Sequence, residues 1–355
     1  MLQLLIVVKW EMNSMIRCIA TLILHYRISR YFYLSIRNIF IPKKINEYEA
    51  RLITIEPSSI CDAKCIFCNY KFGYRKKITM SKETFQSVAQ SCFDMGYNNL
   101  NLTSVGGEFL TNPHAVLILE GANQIGFRSI AFHTNGILLY RHDVERLLKS
   151  GLGCLLISTP GFSKELYIDI FGVDKYDEFK KSVILLLEIH KRINSKVLVQ
   201  FCPRTYLTIE EIKKSDFYKE TISKYISDVV SIDKPVTIFD SWNKTINNAD
   251  LKKGMTLDVI PIKSIYPLKK LHLCGLMEQI NILSNGDVRL CNCRYDKTIS
   301  KDDDPLFIDN ISKYKSLSEL LEINDNKIKK IKDNFINGNL SELCRTCSVY
   351  RPVIK

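Results

Sequence analysis

The chain has 355 residues, which is enough for one large α/β domain with a smaller appendage. Its 46% hydrophobic and 25% charged residues are ordinary for a globular protein, and they exclude a low-complexity or disordered chain. The formal net charge of +12 favours anionic partners such as phosphorylated substrates, nucleic acid or a membrane surface, unless it reflects only a lysine-rich solvated surface.

Residues 1–50 are predicted to be a basic and apolar helical extension. The apolar runs "MLQLLIVV" and "MIRCIATLILHY" are interrupted by Lys9, Glu11 and Arg17, and neither reaches the roughly 18 residues of a membrane span. No small-residue cleavage site follows, which argues against a signal peptide. Residues 26–44 mix aromatic with basic side chains, a pattern of a helix that lies on a membrane surface or packs on the main domain. We expect a cytoplasmic protein, with the inner face of the membrane as one possible contact.

From residue 51 onward, predicted strands alternate with predicted helices. The strands are expected at 51–57, 99–105, 127–136, 152–161 and 195–203, with a weaker one within 227–240. The helices are expected at 81–96, 113–126, 141–151, twice within 163–194, and at 208–219. This alternation predicts a parallel sheet wound by right-handed crossovers into an open or closed barrel. Polar and Gly-rich segments follow the strands, so we expect the site at the carboxyl edge of the sheet.

A second region is predicted at 270–350. The stretch "MEQINILSNGDVRLCNC" indicates two short strands joined by a turn at "SNGD". A helical stretch at 316–337 and the segment "LCRTCSVY" follow. This region is short and rich in cysteine, so we expect a metal to supply part of its stability.

The twelve cysteines are unevenly distributed. Three cluster with a spacing of three and then two residues, at Cys61, Cys65 and Cys68. Five more belong to the second region, namely Cys274, Cys291, Cys293, Cys344 and Cys347. The other four, Cys18, Cys92, Cys154 and Cys202, stand alone and are expected to be buried reduced thiols. Tight clusters in a chain of cytosolic type indicate metal sites rather than disulfides.

Three thiolates can hold three irons of a 4Fe–4S cluster and leave the fourth iron open to another ligand. An open metal position is a catalytic one, as it is at zinc. From the residues alone, two alternatives stand beside this interpretation. A fourth cysteine from elsewhere could close the cluster, or the three thiols could belong to a zinc site.

The pattern resembles the radical SAM superfamily, whose signature is this cysteine spacing in the loop after the first strand. Phe67 matches the aromatic residue that often precedes the last cysteine, and "GGE", "HTNG" and "ISTPG" follow the next three strands. The resemblance implies a partial (β/α)6 TIM-like barrel at 51–240, with Cys61, Cys65 and Cys68 as cluster ligands. It also implies S-adenosylmethionine (SAM) contacts from "GGE" to "ISTPG", at Gly106, Gly107, Glu108, Thr134, Asn135 and Ser158.

The second cysteine set resembles the auxiliary-cluster extension called SPASM, or its shorter relative called Twitch. Cys274, Cys291, Cys344 and Cys347 would then hold an auxiliary 4Fe–4S cluster. Cys293 is either a spare thiol or the ligand in place of Cys291. On chemistry alone, a structural zinc ion is a rival for the same four thiolates.

The resemblance implies reductive cleavage of SAM to a 5′-deoxyadenosyl radical, which abstracts hydrogen from an unactivated C–H. We expect an oxidation or epimerisation of a small substrate, such as a nucleotide- or lipid-linked sugar or a cell-surface polysaccharide precursor. Arg204 and Gln200, near the end of the fifth strand, are candidate substrate contacts, with a surface salt bridge as the alternative for Arg204.

Two further functions stay open at this point. SPASM-type enzymes often modify ribosomal peptides, although the 50 residues before the barrel are short for a peptide-recognition domain. The chain could also be a non-catalytic iron–sulfur or zinc protein. The expected partner is an external electron donor such as a flavodoxin or ferredoxin. No nucleic-acid-binding module is visible.

Overall fold

The computed structural model describes residues 52–72, 76–258, 273–291 and 304–348. Its main sheet has nine strands in the order β11-β10-β9-β1-β2-β3-β4-β5-β6. The first six strands are β1 (Leu52–Ile55), β2 (Asn99–Asn101), β3 (Ser129–Thr134), β4 (Cys154–Thr159), β5 (Leu198–Pro203) and β6 (Val230–Ile232). These six run parallel to one another. Since β6 and β11 are the two edges of this order, the barrel is not closed.

Helices follow the parallel strands. Their bounds are α1 (Lys82–Asp94), α2 (Ala115–Ile125), α3 (Val144–Lys149), α4 (Lys164–Phe171), α5 (Tyr176–Arg192), α6 (Ile209–Ile212) and α7 (Asp216–Glu220). Side chains cap several of them, which fixes where the chain turns from loop to helix. The Ser81 hydroxyl accepts from Thr84 N–H at the start of α1, and Thr208 forms a capping box with Glu211 at the start of α6.

Alternation along the central strands separates two faces of the sheet. One face is fully buried and carries Leu100, Ile130, Phe132, Leu155, Ile157 and Phe201. The intervening positions face the interior of the open barrel, which we call the lumen. In β2 to β5 they include Asn101, His133, Leu156, Ser158 and Gln200, all partly exposed. The lumen wall is therefore polar and accessible, whereas the opposite face forms the core with the helices.

The C-terminal region continues the same sheet. It contributes β9 (Ile280–Ile282), β10 (Asp287–Leu290) and β11 (Phe307–Asn310), followed by helices α8 (Leu317–Ile323), α9 (Asp325–Ile336) and α10 (Glu342–Arg345). Strand β9 pairs parallel with β1, with Thr54 opposite Asn281, while β10 is antiparallel to β9 and to β11. A separate parallel pair consists of β7 (Ile238–Phe239) and β8 (Thr256–Leu257).

The predicted fold class is confirmed. The six parallel strands, and the hairpin with its turn at Gly286, lie where the sequence predicted them. The helices predicted at 208–219 and 316–337 are each divided in two, at 213–215 and at Asn324. The predicted extension at 1–50, with its membrane contact, lies outside the described residues. Within the described ranges, no helix combines the length and the hydrophobicity needed to cross a membrane.

Candidate active site and second cysteine site

The loop after β1 carries Cys61, Cys65 and Cys68 and is held in place by backbone contacts. Its Lys64 and Ile66 N–H groups donate to the carbonyls at the C-terminal end of α4, each at 2.9 Å. Cys61 N–H donates to the Tyr70 hydroxyl at 2.7 Å, and Cys68 N–H to Cys65 O at 3.1 Å. The loop is therefore shaped by its own neighbours, so its three thiols share one small region at the carboxyl edge of the sheet.

Phe67 packs this loop against α4 and β7. Its ring stacks on Phe239 with centroids 4.6 Å apart and meets Phe171 edge-on at 6.3 Å. Its carbonyl accepts from Trp242 Nε1 at 3.0 Å. The aromatic residue before the last cysteine thus fixes the loop by packing.

The three thiols lie close enough to influence one another's charge. Burial raises the pKa of the Cys61 thiol, and the negative charges of Glu108, Asp62 and Cys68 raise it further. Burial likewise raises the pKa of Cys65, followed by the charges of Cys68 and Cys61, while Arg204 acts in the opposite direction. Neighbouring buried thiols of this kind become thiolates only when a cation compensates them, which is what an iron–sulfur cluster provides. The donor set therefore fits three cluster ligands.

The GGE segment packs directly on the cysteine loop. A Cβ on Gly107 would overlap the Ser58 carbonyl oxygen and come within 2.9 Å of Ser59 Cα. Only glycine allows this close backbone approach. The N–H groups of Val105 and Gly106 donate to the buried Glu56 carboxylate at 2.9 and 3.4 Å. The segment is thus held by the stretch of chain that directly follows β1.

Glu108 and Asn135 tie three loops together. The Glu108 carboxylate accepts from Leu110 N–H at 3.1 Å and from Asn135 N–H at 2.7 Å. Asn135 Nδ2 donates to Asp62 Oδ1 in the cysteine loop at 2.8 Å. Burial raises the pKa of Glu108 to about 7, against the lowering effect of the Asn135 N–H. These two residues, with the buried Thr134, form the framework beneath the carboxyl edge.

The lumen wall carries a second polar group. Arg204 Nε donates to Ser158 Oγ at 3.1 Å. The His133 ring Nδ1 lies 3.2 Å from Thr103 Oγ1, which also accepts from His133 N–H at 2.9 Å. Burial lowers the pKa of His133 to about 4, and the positive charge of Arg204 lowers it further, so the imidazole is neutral near pH 7. Gln200 shares this face.

Four cysteines of the C-terminal region line one apolar cavity. Cys274, Cys291, Cys344 and Cys347 share it with Leu276, Met277, Leu306, Phe335 and Leu343. Burial raises the pKa of Cys274 to about 12, and the negative charges of the other three thiols add to this rise. None of the cysteines in the described ranges forms a disulfide. Among the described residues, no group of three or more His, Cys, Asp or Glu side chains has the arrangement that a single metal ion requires.

Cys291 is held in an unusual conformation. Its φ of 67° lies in the left-handed region, which a residue with a Cβ adopts at a cost of roughly 1 kcal/mol. Arg289 Nη1 donates to its carbonyl at 2.9 Å, and Arg289 is itself paired with Asp304 at 2.9 and 3.2 Å. Backbone strain that neighbouring residues hold in place, as Arg289 does here, is typical of a functional position. Cys293 lies outside the described residues.

One loop contacts both cysteine sites. Trp242, Asn243 and Lys244 all have positive φ. Trp242 bonds to Phe67 in the first site, whereas Asn243 Oδ1 accepts from Thr346 Oγ1 at 3.0 Å in the second. The preceding Asp240 accepts from the Ser348 N–H and hydroxyl at 2.9 and 2.7 Å. This loop therefore connects the two cysteine sites, in addition to the pairing of β9 with β1.

The structure divides the predicted SAM contacts into two groups. Glu108, Thr134 and Asn135 are buried and engaged in the protein's own hydrogen bonds, while Ser158 faces the lumen. Their contacts with SAM stay predictions, as do those of Gly106 and Gly107. Sequence reasoning missed Glu56 and His133. The alternation of side chains along β3 would have placed His133 on the same face as the lumen residues of β4. No local sequence pattern indicates Glu56.

The radical SAM superfamily profile matches residues 55–214. The match begins at the end of β1, includes the cysteine loop, and ends after α6. Residues 55–214 therefore carry a radical SAM domain, and the resemblance inferred from the cysteine spacing is confirmed over these residues. The superfamily domain implies an enzyme with a 4Fe–4S cluster and SAM.

Curated relatives carry a more specific name. The chain is 22% identical over 260 residues to a probable GTP 3',8-cyclase of Methanothermobacter thermautotrophicus, covering 68% of this chain and 84% of the relative. A probable GTP 3',8-cyclase of Saccharolobus islandicus is 30% identical over 138 residues, which is 39% of this chain and 44% of that protein.

Solved structures with a similar chain path include BtrN in complex with AdoMet and 2-DOIA. It has a TM-score of 0.49 and 13% identity, and the superposition covers 84% of this chain and 92% of BtrN. Another is anSMEcpe with bound AdoMet and the Cp18Cys peptide, with a TM-score of 0.47 and 15% identity, covering 84% and 86% of the two chains.

Proposed function

We propose that this protein is a radical SAM enzyme that removes hydrogen from an unactivated C–H of a phosphorylated or nucleotide-linked sugar. The observation that supports this function is that Cys61, Cys65 and Cys68 lie at the same sheet edge as the polar lumen wall. These three thiols hold the SAM-binding 4Fe–4S cluster. When bound, the clusters supply the electron that cleaves SAM and a site that exchanges a further electron.

Two lumen residues have proposed roles towards the substrate. The Arg204 guanidinium, oriented by Ser158 Oγ, binds an anionic group such as a phosphate. The imidazole of His133, which is neutral near pH 7 and is oriented by Thr103, hydrogen-bonds a polar group of the substrate. Gln200 lines the same wall. The chain thus offers a cationic and a neutral polar group on one wall of the lumen.

The second cysteine site is proposed to hold an auxiliary 4Fe–4S cluster. Cys274, Cys291, Cys344 and Cys347 are its ligands, because they line one apolar cavity. We assign the role to Cys291 rather than Cys293, since its strained conformation is held by Arg289. A structural zinc ion is the rival occupant, and metal analysis separates the two.

The names of the relatives favour a second candidate substrate. A nucleoside triphosphate such as GTP combines a ribose with phosphates, so it presents the same groups to Arg204 and to the lumen as a nucleotide-linked sugar. A cyclisation of GTP and an oxidation of a linked sugar would differ in product but not in the groups that bind.

Anaerobic reconstitution tests the class of enzyme. We expect about eight irons per chain and reductive formation of 5′-deoxyadenosine from SAM. Cys65→Ala should abolish that product, whereas Cys92→Ala is the matched control, because Cys92 is a buried thiol of α1 that belongs to neither cysteine set. Cleavage that survives Cys65→Ala, or one zinc and no sulfide in the wild type, would exclude this function.

Substrate choice is tested by adding UDP-N-acetylglucosamine, GTP or an acidic peptide to the reconstituted protein. Increased 5′-deoxyadenosine formation with one of the two nucleotides supports the proposal, and GTP alone would select the second candidate. Stimulation by the peptide alone would instead support a peptide maturase.

A further inference from the structure

Residues 240–244 follow β7 and form a loop that we call the bridging loop. Three consecutive residues in it, Trp242, Asn243 and Lys244, have left-handed φ angles of 46°, 56° and 65°. They are three of the five non-glycine residues with positive φ in the described ranges, so backbone strain is concentrated here. Such conformations persist only where surrounding contacts hold them. The shape of the bridging loop therefore depends on what it contacts.

One set of contacts comes from the two residues that flank Cys347 of the second cysteine site. The Asp240 carboxylate accepts from the Ser348 N–H at 2.9 Å and from the Ser348 hydroxyl at 2.7 Å. Asn243 Oδ1 accepts from Thr346 Oγ1 at 3.0 Å. The bridging loop is thus held by both chain neighbours of one cysteine of the second site.

Trp242 carries these contacts to the first cysteine loop. Its backbone N–H donates to the Asp240 carboxylate at 2.6 Å, and its indole Nε1 donates to Phe67 O at 3.0 Å. Phe67 directly precedes Cys68, and its ring stacks on Phe239, the residue before the bridging loop. A displacement of Trp242 would therefore act on the peptide next to Cys68.

We propose that Trp242 is a positioning residue that holds the peptide before Cys68 in place only while the second cysteine site is loaded. The inference rests on the proposed function, because it needs two occupied sites in one chain. Metal ligation orders short cysteine segments. The segment around Cys347 is of this kind, since the preceding α10 spans only Glu342–Arg345 and its N-terminal residue Ser341 makes no side-chain capping bond.

Emptying the second site removes this constraint. Thr346 and Ser348 then hold the bridging loop less firmly, and its left-handed residues relax. Trp242 moves with them and releases the Phe67 carbonyl, so the first cysteine loop is less well placed. SAM binds more weakly, since its cluster is held by the thiols of this loop. Affinity at one site thus depends on occupancy of the other, which is a coupling free energy between the two.

A double-mutant cycle on the reconstituted protein tests this coupling. The four proteins are the wild type, Trp242→Phe, Cys274→Ala and the double variant, and the quantity measured is the Kd of SAM by equilibrium dialysis. Trp242→Phe keeps an aromatic ring and loses the indole N–H that Phe67 accepts. We expect each single variant to weaken SAM binding about tenfold, and the double variant to be no weaker than either single one.

Additive effects would overturn the inference. A double variant that binds SAM about a hundredfold more weakly than the wild type would show that the two residues act independently. An unchanged Kd in Trp242→Phe would overturn it as well.

Ser91→Ala is the matched control. Ser91 Oγ accepts from Leu317 N–H at 2.6 Å and so joins α1 to α8, two helices that carry no cysteine of either set. Like Trp242→Phe, it removes one hydrogen bond between distant segments and should lower the melting temperature by about 2 °C. It should leave the Kd of SAM unchanged. A loss of affinity equal to that of Trp242→Phe would mean that the bridging loop has no special role, and would contradict the proposal.

Thr346→Val tests the same connection from its other end, without altering the first cysteine loop. It removes the hydroxyl from which Asn243 accepts. We expect it to weaken SAM binding about threefold while the iron content stays at about eight per chain, and to have no effect when combined with Cys274→Ala. An effect of equal size in both backgrounds would refute the inference.

Iron analysis of the same proteins separates this inference from the proposed function. A Cys274→Ala protein that keeps about eight irons per chain, or a wild type that binds no iron, would refute the proposed function. Loss of about four irons together with additive Kd values would refute only the inference.

Discussion

Replacing Gly107 by alanine tests the structural basis of the GGE segment. The added Cβ would overlap the Ser58 carbonyl oxygen and lie 2.9 Å from Ser59 Cα and 3.0 Å from Ser58 C. These are backbone atoms, so no side-chain rotation can relieve the contact. To reach an ordinary separation of 3.4 Å from Ser59 Cα, the two segments must move apart by about 0.5 Å or more.

The surrounding hydrogen bonds resist that movement. Ser104 Oγ donates to Ser58 O at 2.7 Å, and the N–H of Glu108 donates to Ile60 O at 2.6 Å. Overpacking of this kind costs about 2–3 kcal/mol. We therefore expect Gly107→Ala to lower the melting temperature by about 5–10 °C and to weaken SAM binding about tenfold, because Glu108 is displaced.

The assay combines thermal unfolding by circular dichroism with equilibrium binding of SAM to the reconstituted protein. Gly153→Ala is the matched control, since a Cβ there would meet no atom closer than 3.5 Å. It should leave both quantities close to the wild type. A Gly107→Ala protein that melts with the wild type and binds SAM equally well would show that the clash is relieved at no cost, and would refute this account.

Three further outcomes are expected. Arg289→Met leaves Asp304 buried without its partner and should destabilise the protein by about 3 kcal/mol. The double variant that adds Asp304→Leu should recover most of the lost melting temperature. Equal losses in the single and the double variant would contradict the ion-pair explanation. The folded pKa of His133, about 4, lies below its unfolded value, so its contribution to stability is complete above pH 6.5 and is lost as the pH falls to 4. Relative to His133→Gln, the wild type should lose about 2–3 kcal/mol over that interval in urea unfolding, and parallel profiles would refute the shift. Cys274→Ala should reduce the iron content from about eight to about four per chain by colorimetric assay, and unchanged iron would exclude an auxiliary cluster at this cavity.

The fold and the first cysteine site were predictable for a local reason. Hydrophobic strands that alternate with helices indicate a parallel sheet, and parallel strands bring their following loops to one edge. Cys61, Cys65 and Cys68 lie in a single loop, so their spacing in the sequence is enough to indicate the site. The same holds for the hairpin around Gly286, whose turn residues lie next to one another in the chain. The end of α8 at Asn324 was missed, because the sequence on both sides of this cap residue continues the helical pattern.

The roles of single residues depended on distant contacts. Glu108 was expected at the cofactor, but the structure shows that its carboxylate also holds Asn135, 27 residues away. Gly107 was expected to make room for a ligand, and it makes room for Ser58. Neither partner could be identified from sequence, because the crossing of two loops is set by the register of the strands that carry them.

By itself, the sequence determined the class of this protein. Three cysteines in one loop and a regular βα alternation are local patterns, which can be recognised without knowledge of the rest of the chain. Only the tertiary structure decided that β9 pairs parallel with β1, which brings Ser284 to Glu56 across 228 residues. Such pairings depend on which strand edge is left open after the barrel has formed, and that edge is a property of the whole sheet.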